Sequence, residues 1–342
     1  MTMENIDELS RETTQFRRQM SVLGGILLLG VITVIPILGA SPYWQRVLTY
    51  IFMWIGLAGS WNTIYGYFGR VDFGHVVYFG FGAYVTAILF LKYAVSWSIC
   101  VFLSGILALA LAVAVGFPTL RLHGAYFAIA TWAFAEAIKY LFLVLEITGG
   151  SYGLSYGQMS PFGSETLRYC YYLMFLSAIA MTVTNFFIER SKFGYALRAI
   201  KGSEMAAATS GINVPRYRLL AFAISAFFPG VIGGIYGILI LYVVPTDAFE
   251  GLKTDQMVLM TLLGGSGHYL GPVIGAVSLT LLLEFLWANI QFAEVFYLVI
   301  LGALIVAIVI FLPKGVIGLY KEGVTKEEIV ARLKAKFKRH RR

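Results

Sequence analysis

The sequence predicts an all-α polytopic membrane protein with nine to ten transmembrane helices, an internal repeat and broken helices. Hydrophobic residues make up 59% of the 342 residues, the mean hydropathy is +0.78, and charged residues make up only 13%. This composition leaves too little polar side chain to cover a water-soluble surface. The long apolar runs are almost free of charge, because the charged residues gather at the termini and in a few short stretches. A soluble enzyme, a disordered protein and a disulfide scaffold are thereby excluded.

Nine apolar segments are long enough to cross the hydrocarbon core, which takes about 20 residues in a helix. These predicted spans are 22–40, 47–65, 73–91, 97–117, 125–147, 169–188, 217–242, 272–290 and 295–312. A shorter apolar piece at 255–264 runs into a glycine cluster, so it is either a half-helix or a short crossing. The first span contains Pro36, and we interpret it as a retained, kinked helix rather than a cleaved signal.

Basic residues predict the orientation of the chain. Of 26 Lys and Arg, ten lie in 314–342, six in 190–218 and three in the first twenty residues. Such clusters mark the cytoplasmic side, so the net charge of +8 predicts topology rather than affinity for nucleic acid. The predicted parts are a cytoplasmic N-terminal tail (1–21), a transmembrane domain (22–313) and a basic cytoplasmic tail (314–342). The basic tail is expected to lie along anionic membrane lipid, with docking on a partner as the alternative.

The stretch from Lys192 to Gly211 predicts a short amphipathic helix on the cytoplasmic side. Gly211 is a natural stop for a helix. Alanine and a few medium-sized apolar residues form the predicted inner face, which comprises Phe193, Leu197, Ile200 and Ala208. The charged residues placed elsewhere are Lys192, Arg198, Lys201 and Glu204. A face of small residues favours packing into a protein groove, and an interfacial helix on lipid is the alternative.

Glycine-rich segments occur twice in the same order. Gly74-His75 is followed after six residues by Gly82-Ala83, and Gly267-His268 is followed after six residues by Gly275-Ala276. This match predicts an internal duplication, although a chain with 36 glycines also allows chance similarity. Such glycines either let helices approach closely or permit broken helices whose backbone groups line a polar cavity. The second interpretation predicts a substrate pathway at Gly74, His75, Gly265, Gly267, His268 and Gly275.

Ionisable residues within the predicted spans are few. Glu136 and Lys139 stand three apart on one helix and can neutralise each other. Glu284 alone is a weak candidate for an ion-coupling carboxylate. The sequence has no zinc-binding His-Glu-x-x-His pair and no phosphate-binding Gly-rich loop, and Cys100 and Cys170 are its only cysteines. We therefore expect no enzymatic activity, metal or cofactor in this chain, and any nucleotide energy must come from another one.

Four stretches in order resemble the LivM-type permeases of ABC importers for branched-chain amino acids. The stretches are 66–84, 148–154, 194–222 and 264–276, within a resemblance that runs from about 45 to 318. The resemblance implies a permease subunit of an ATP-driven importer in the cell inner membrane. Such a subunit moves branched-chain, hydrophobic amino acids by alternating access.

The resemblance also implies partners. These are a second, LivH-like permease, two cytoplasmic ATPase subunits that bind ATP and Mg, and an extracytoplasmic substrate-binding protein. ATPases of this kind would grip the predicted cytoplasmic helix, which assigns coupling roles to Lys192, Arg198, Lys201, Glu204 and Gly211.

Three residues depart from the family pattern, namely Arg70, Asp72 and His268. The charged Arg70 and Asp72 leave open a sister branch that carries urea or short amides. A stand-alone secondary amino acid carrier is a further alternative, and the lack of an unpaired acidic set is the feature against it.

Overall fold

The computed structural model describes residues 41–157, 159, 161–289, 299–300, 302–303, 306 and 315–321. The chain divides into two compact units, residues 1–48 and residues 49–342. In the first unit the described residues begin helix α1, and the second unit holds every other element named below. The predicted span 22–40, most of the span 295–312 and the basic tail after 321 lie outside the described residues.

The described elements are helical apart from one pair of short strands. Helices α1 to α5 are Pro42–Asn62, Val76–Tyr93, Trp97–Thr119, Ala125–Val144 and Thr166–Arg190. Helices α6 to α12 are Lys192–Gly202, Glu204–Thr209, Val214–Ile240, Pro245–Ala248, Gly251–Gly264, Gly271–Asn289 and Gly315–Lys321. A π-helix, Thr63–Phe68, continues α1, and three 3₁₀ turns are Glu146–Thr148, Gly150–Tyr152 and Gly163–Glu165. Strands β1 (Leu154–Ser155) and β2 (Tyr242–Val243) pair antiparallel.

Six helical stretches of the described residues are long and apolar enough to cross a membrane. They coincide with the predicted spans 47–65, 73–91, 97–117, 125–147, 169–188 and 217–242, and they confirm the all-α polytopic class. Helix α11 coincides with the predicted span 272–290, but its apolar part, Gly271–Leu286, is shorter. The total of nine to ten spans stays a prediction, because two of the predicted spans lie largely outside the described residues.

Helix α8 is packed against α2 and α3 through glycines. A Cβ atom at Gly233 would meet the carbonyl of Phe79, and one at Gly82 would meet the carbonyl of Gly230. A Cβ at Gly230 would lie 2.8 Å from the carbonyl oxygen of Ser104 on α3. The glycines spaced four residues apart on α8 therefore allow close contact between helix backbones.

The short apolar piece 255–264 lies within α10, which is hydrogen-bonded to α1 and α2. Near its start, Thr254 Oγ1 accepts a 3.2 Å hydrogen bond from the backbone N–H of Val76. Near its end, Thr261 Oγ1 donates to the carbonyl of Ala58 at 3.0 Å. Fourteen residues of helix span only about 21 Å, less than the hydrocarbon core of about 30 Å. Helix α10 by itself is therefore too short to cross the membrane, and a crossing at this segment stays a prediction.

Candidate functional site

The predicted cytoplasmic helix 192–211 is two helices in the structure. Helices α6 and α7 are separated at Ser203, whose backbone is extended with φ −160° and ψ 116°. The Ser203 hydroxyl accepts a 3.3 Å hydrogen bond from the N–H of Ala206 and so caps α7. The prediction of one continuous helix is wrong here. The Ser203 side chain caps the start of α7, and a residue in this capping position has a non-helical backbone that ends α6.

The end of this segment follows the predicted pattern. Helix α7 ends at Thr209, and Gly211 has φ +85°. The backbone N–H groups of Gly211 and Ile212 donate to the carbonyls of Ala208 and Ala207 at 3.0 and 3.1 Å. This arrangement satisfies carbonyl groups at the helix end, and it favours glycine at the left-handed position.

The apolar face of α6 and α7 packs on the core of this same chain. Leu197 is 0% exposed, and Ile200 and Ala207 are buried in the same cluster, which also includes Phe222 of α8. Ala207 rather than the predicted Ala208 is buried, because the break at Ser203 changes the phase of the turn. A partner would therefore meet the opposite face. Its exposed residues include Lys192, Tyr195, Ala199, Met205, Ala206 and Thr209.

Glu204 joins side chains from three other parts of the chain. Its Oε1 accepts from Arg70 Nη2 at 2.7 Å, and its Oε2 lies 3.2 Å from His123 Nε2 and also pairs with Arg218. Arg70 in turn donates from Nη1 to the carbonyl of Leu122 at 2.7 Å. The side chains of Arg70 and Arg218 are almost fully buried. Glu204 therefore neutralises buried cations and fastens the start of α7 to the transmembrane body.

The electrostatic environment of Glu204 favours its charged form. Burial raises the pKa of the carboxyl, but hydrogen bonds and charges from Arg218 and then Arg70 outweigh burial and hold the pKa below its usual value. Glu204 is consequently ionised throughout the neutral range.

Lys201 connects α6 to the π-helix that follows α1. Its Nζ donates to the carbonyls of Gly66 at 2.8 Å and Tyr65 at 3.3 Å. These groups belong to the last turn of the π-helix, where a cation is favourable. Burial lowers the pKa of the Lys201 ammonium. Displacement of α6 would therefore pull directly on the π-helix.

The π-helix in turn contacts the second glycine cluster. The N–H of Gly267 donates to Asn62 Oδ1 at 2.9 Å, and Asn62 Nδ2 donates to the carbonyl of His268 at 3.4 Å. A Cβ atom at Gly66 would lie only 2.6 Å from the nitrogen of Gly267. Gly265 and Gly267 both have positive φ, at +116° and +80°. The loop between α10 and α11 therefore fits against the π-helix only where both backbones carry glycine.

A second connection reaches the same loop from α6. Arg198 donates from Nη2 to the carbonyl of Glu189, at the end of α5, at 2.7 Å. The Glu189 carboxylate accepts from the N–H of Tyr269 at 2.8 Å, and His268 Nε2 lies 3.9 Å from its other oxygen. Arg198 and Lys201 thus reach one glycine loop by separate routes.

Gly74 and His75 lie in the interior. His75 is within hydrogen-bond distance of Asp72 Oδ2 at 3.0 Å and of Ser60 Oγ at 2.9 Å. These are the residue types of a hydrolase triad, but all three side chains are buried and the Ser60 hydroxyl donates to the carbonyl of Leu57 at 2.6 Å. The group therefore holds the start of α2 in place and presents no accessible nucleophile.

The predicted pathway residues thus separate into three places. Gly265, Gly267 and His268 lie in the loop before α11, which contacts the end of α1 and the π-helix, whereas Gly74 and His75 lie in the interior. A Cβ atom at Gly275 would meet the carbonyl of Met260, which gives this residue a packing role between α10 and α11.

Sequence reasoning missed Asn62 and Glu189 as connecting residues, and it treated Arg70 and Asp72 as one charged pair. The available signal was an amide or a carboxylate at the end of an apolar span, but its partner could not be named. Among the described residues, no group of three or more His, Cys, Asp or Glu is placed to hold a metal ion.

Residues 43–309 match the family described as branched-chain amino acid transport system, permease component. The chain belongs to this permease family. The high-affinity branched-chain amino acid transport system permease protein LivM of Escherichia coli K12 is 28% identical, over 82% of this permease and 72% of the relative. LivM of Salmonella typhimurium is 29% identical over 82% and 70% of the two chains. A probable LivM of Methanocaldococcus jannaschii is 27% identical over 79% of this permease and 93% of that relative.

No solved structure matches this permease. The family and the apolar helices make it a multi-pass protein of the inner membrane and a transport subunit rather than an enzyme.

Proposed function

We propose that this permease is a subunit of an ATP-driven importer that moves branched-chain, hydrophobic amino acids by alternating access. The names of the LivM relatives support this substrate class. The observation that carries the mechanism is the two-faced segment α6–α7. Its inner face is packed on the transmembrane body, and its outer face is exposed for a partner.

The partners are two cytoplasmic ATPase subunits, a second LivH-like permease and an extracytoplasmic substrate-binding protein. ATP and Mg are bound by the ATPase subunits, and this chain carries no cofactor. The ATPases dock on the outer face of α6–α7, where Lys192, Tyr195 and Met205 are exposed. Gly211 ends this docking segment. Selectivity rests mainly with the binding protein.

Coupling runs from α6 to the glycine loop before α11. Lys201 pulls on Gly66 of the π-helix, and Gly66 lies against Gly267. Arg198 reaches the same loop through Glu189 and Tyr269. Glu204 acts differently, because its ion pairs keep α7 attached to the body while α6 moves.

The substrate pathway passes the loop of Gly265, Gly267 and His268, where backbone groups can bind a zwitterion without a buried charge. Positive φ at Gly265 and Gly267 supports this assignment, because it interrupts the helix at this loop, as in the broken helices that line substrate pathways. Substrate would have to compete with Asn62 for the N–H of Gly267. Gly74 and His75 shape the pathway indirectly by fixing the start of α2. Gly275 contributes through packing.

The structure favours neither the alternative substrates, urea and short amides, nor a secondary-carrier mechanism. Arg70 is engaged by Glu204 and Asp72 by His75, so neither is available to select urea or a short amide. Glu136 lies 2.5 Å from Lys139, which removes it as an ion-coupling carboxylate of a secondary carrier.

The test is uptake in proteoliposomes that hold the complete complex with its binding protein. We expect ATP-dependent uptake of leucine and none of urea. The matched control is this chain reconstituted alone with a proton or sodium gradient, which should give no uptake. Urea uptake without leucine uptake would move the protein to the sister branch, and gradient-driven uptake by the chain alone would refute the ATP-driven mechanism.

A further inference from the structure

A groove of about 520 Å³ lies between the end of α3 and the start of α8. Its walls are mainly apolar, with Phe117 from α3, Leu120 directly after α3, and Leu219 from α8. Three arginines also line it, namely Arg121, Arg216 and Arg218. None of them takes part in the coupling path from α6 to the glycine loop.

Arg218 lines this groove and carries an unsatisfied, buried donor. The residue is only 7% exposed, and its Nε has no hydrogen-bond partner among the described residues. Nη1 donates to the carbonyl of Leu120 at 3.3 Å, and Nη2 forms an ion pair with Glu204. A buried guanidinium that is not fully hydrogen-bonded is costly, and its positive charge adds to that of the exposed arginines of the groove.

The groove has an excess of positive charge. Glu204 already serves both Arg70 and Arg218. Arg121 and Arg216 are exposed, and in the part of the chain that the structure describes neither forms an ion pair. Arg216 also lies in the first turn of α8, where the helix dipole favours an anion. The complementary ligand is therefore an anion that accepts several hydrogen bonds.

The surroundings select a lipid rather than a free anion. Phe117 is 64% exposed beside the groove, and Leu220 and Tyr126 are exposed on the neighbouring helices. Apolar side chains next to a cluster of arginines at the end of a membrane-spanning helix match the boundary between acyl chains and headgroups. We propose that this groove binds an anionic phospholipid, with its phosphate on Arg121 and Arg216 and an acyl chain along Phe117.

Native mass spectrometry of the purified full chain in detergent tests this site. Phosphatidylglycerol and phosphatidylcholine are titrated separately against wild type and against Arg121→Gln/Arg216→Gln, whose two exposed positions should tolerate glutamine. The matched control is Lys92→Gln/Arg168→Gln, which removes two exposed cations outside the groove. A third arm adds inorganic phosphate as a competitor.

We expect wild type and the control to retain phosphatidylglycerol in preference to phosphatidylcholine. The Arg121→Gln/Arg216→Gln variant should bind phosphatidylglycerol roughly 30-fold more weakly, about fivefold for each cation. Equal retention in all variants would overturn the site. Displacement of the lipid by millimolar phosphate would assign the groove to a free anion. Both results would overturn the proposal, and neither depends on transport.

Discussion

Single charged residues of α6 and α7 have roles inside the chain as well as at its surface. Glu204 has a side chain that is 33% exposed and yet contacts two buried guanidinium groups. Lys201 and Arg198 both donate to backbone carbonyls of neighbouring elements. Substitution of such a residue changes how the segment is attached to the body, which has to be separated from any effect on a partner.

Replacing Glu204 with Gln should loosen α7. The change leaves Arg70 and Arg218 buried without a countercharge, and we expect a cost of about 2 kcal/mol, below that of a fully buried pair because Glu204 is partly exposed. Hydrogen exchange of residues 203–211 in detergent should speed up correspondingly. The control is Glu165→Gln, which breaks an exposed pair with Arg168. Unchanged exchange in Glu204→Gln would contradict the anchoring role.

The same carboxylate predicts a pH dependence. The pKa of Glu204 is lowered in the folded protein by Arg218 and Arg70, against the opposing effect of burial. Its contribution to stability is therefore complete above the unfolded-state pKa of about 4.3. It is lost as the pH falls from there through the lower folded-state pKa. Thermal unfolding of wild type between pH 7 and pH 3 should show this loss of stability. Glu204→Gln should lack the part of the pH-dependent loss that is due to Glu204. Parallel pH profiles for the two proteins would contradict the assignment.

At the scale of elements, the π-helix after α1 contacts two other parts of the chain. Helix α6 binds it through a lysine, and the loop between α10 and α11 packs on it through glycines. The Lys201 ammonium holds the first contact, and the close approach of Gly66 to Gly267 forms the second. Such π-helical turns are often found at functional sites. We therefore expect loss of the lysine hydrogen bonds and the addition of a methyl group at a glycine to affect transport differently.

Replacing Lys201 with Met should reduce coupling while the complex still assembles. The variant keeps the apolar stem but loses the donors to Gly66 and Tyr65, and we expect leucine uptake per ATP hydrolysed to fall by about tenfold, the value of one charge-assisted hydrogen bond. Lys92→Met is the control, since Lys92 also donates to a backbone carbonyl, that of Ile147. A normal ratio of uptake to hydrolysis in Lys201→Met would rule out this connection.

Gly267→Ala and Gly275→Ala should differ. At Gly267 the positive φ makes alanine strained by about 1–2 kcal/mol in a loop, so uptake should fall more than the amount of assembled complex. At Gly275 the added methyl group meets the carbonyl of Met260, so assembly and uptake should fall together. Uptake normalised to assembled complex distinguishes them, and proportional losses in both variants would leave only a packing role for Gly267.

At the scale of the whole molecule, the side on which the glycine loop lies depends on whether the segment of α9 and α10 crosses the membrane. Ser266 is exposed in that loop, and Met205 is 76% exposed on α7. The loop contacts α5 and the π-helix close to α6. Ser266 and Met205 should therefore lie on the same side of the membrane.

Cysteine labelling in cells tests this topology. Ser266→Cys and Met205→Cys should both react only with reagents that reach the cytoplasm, whereas Tyr152→Cys, at the exposed turn before β1, should react from outside. The native Cys100 and Cys170 are buried and should stay unlabelled. Labelling of Ser266→Cys from outside would mean that the segment re-enters the membrane instead of crossing it.

The sequence by itself determined the membrane class, the position of six described spans and the stop at Gly211. It could do so because these features depend on local properties. A span requires about 20 consecutive apolar residues, and a helix end in the left-handed region favours glycine.

Only the tertiary structure decided which polar groups meet. Arg70 and Glu204 are 134 residues apart in the chain, and Gly267 and Asn62 are 205 apart. Their contacts depend on how separate helices pack, which composition and spacing do not encode locally. The break at Ser203 also depended on packing, since Leu197 and Ala207 are buried against the same cluster on either side of it. Three of the four charges expected on a docking face, those of Arg198, Lys201 and Glu204, therefore hold the segment to its own transmembrane body.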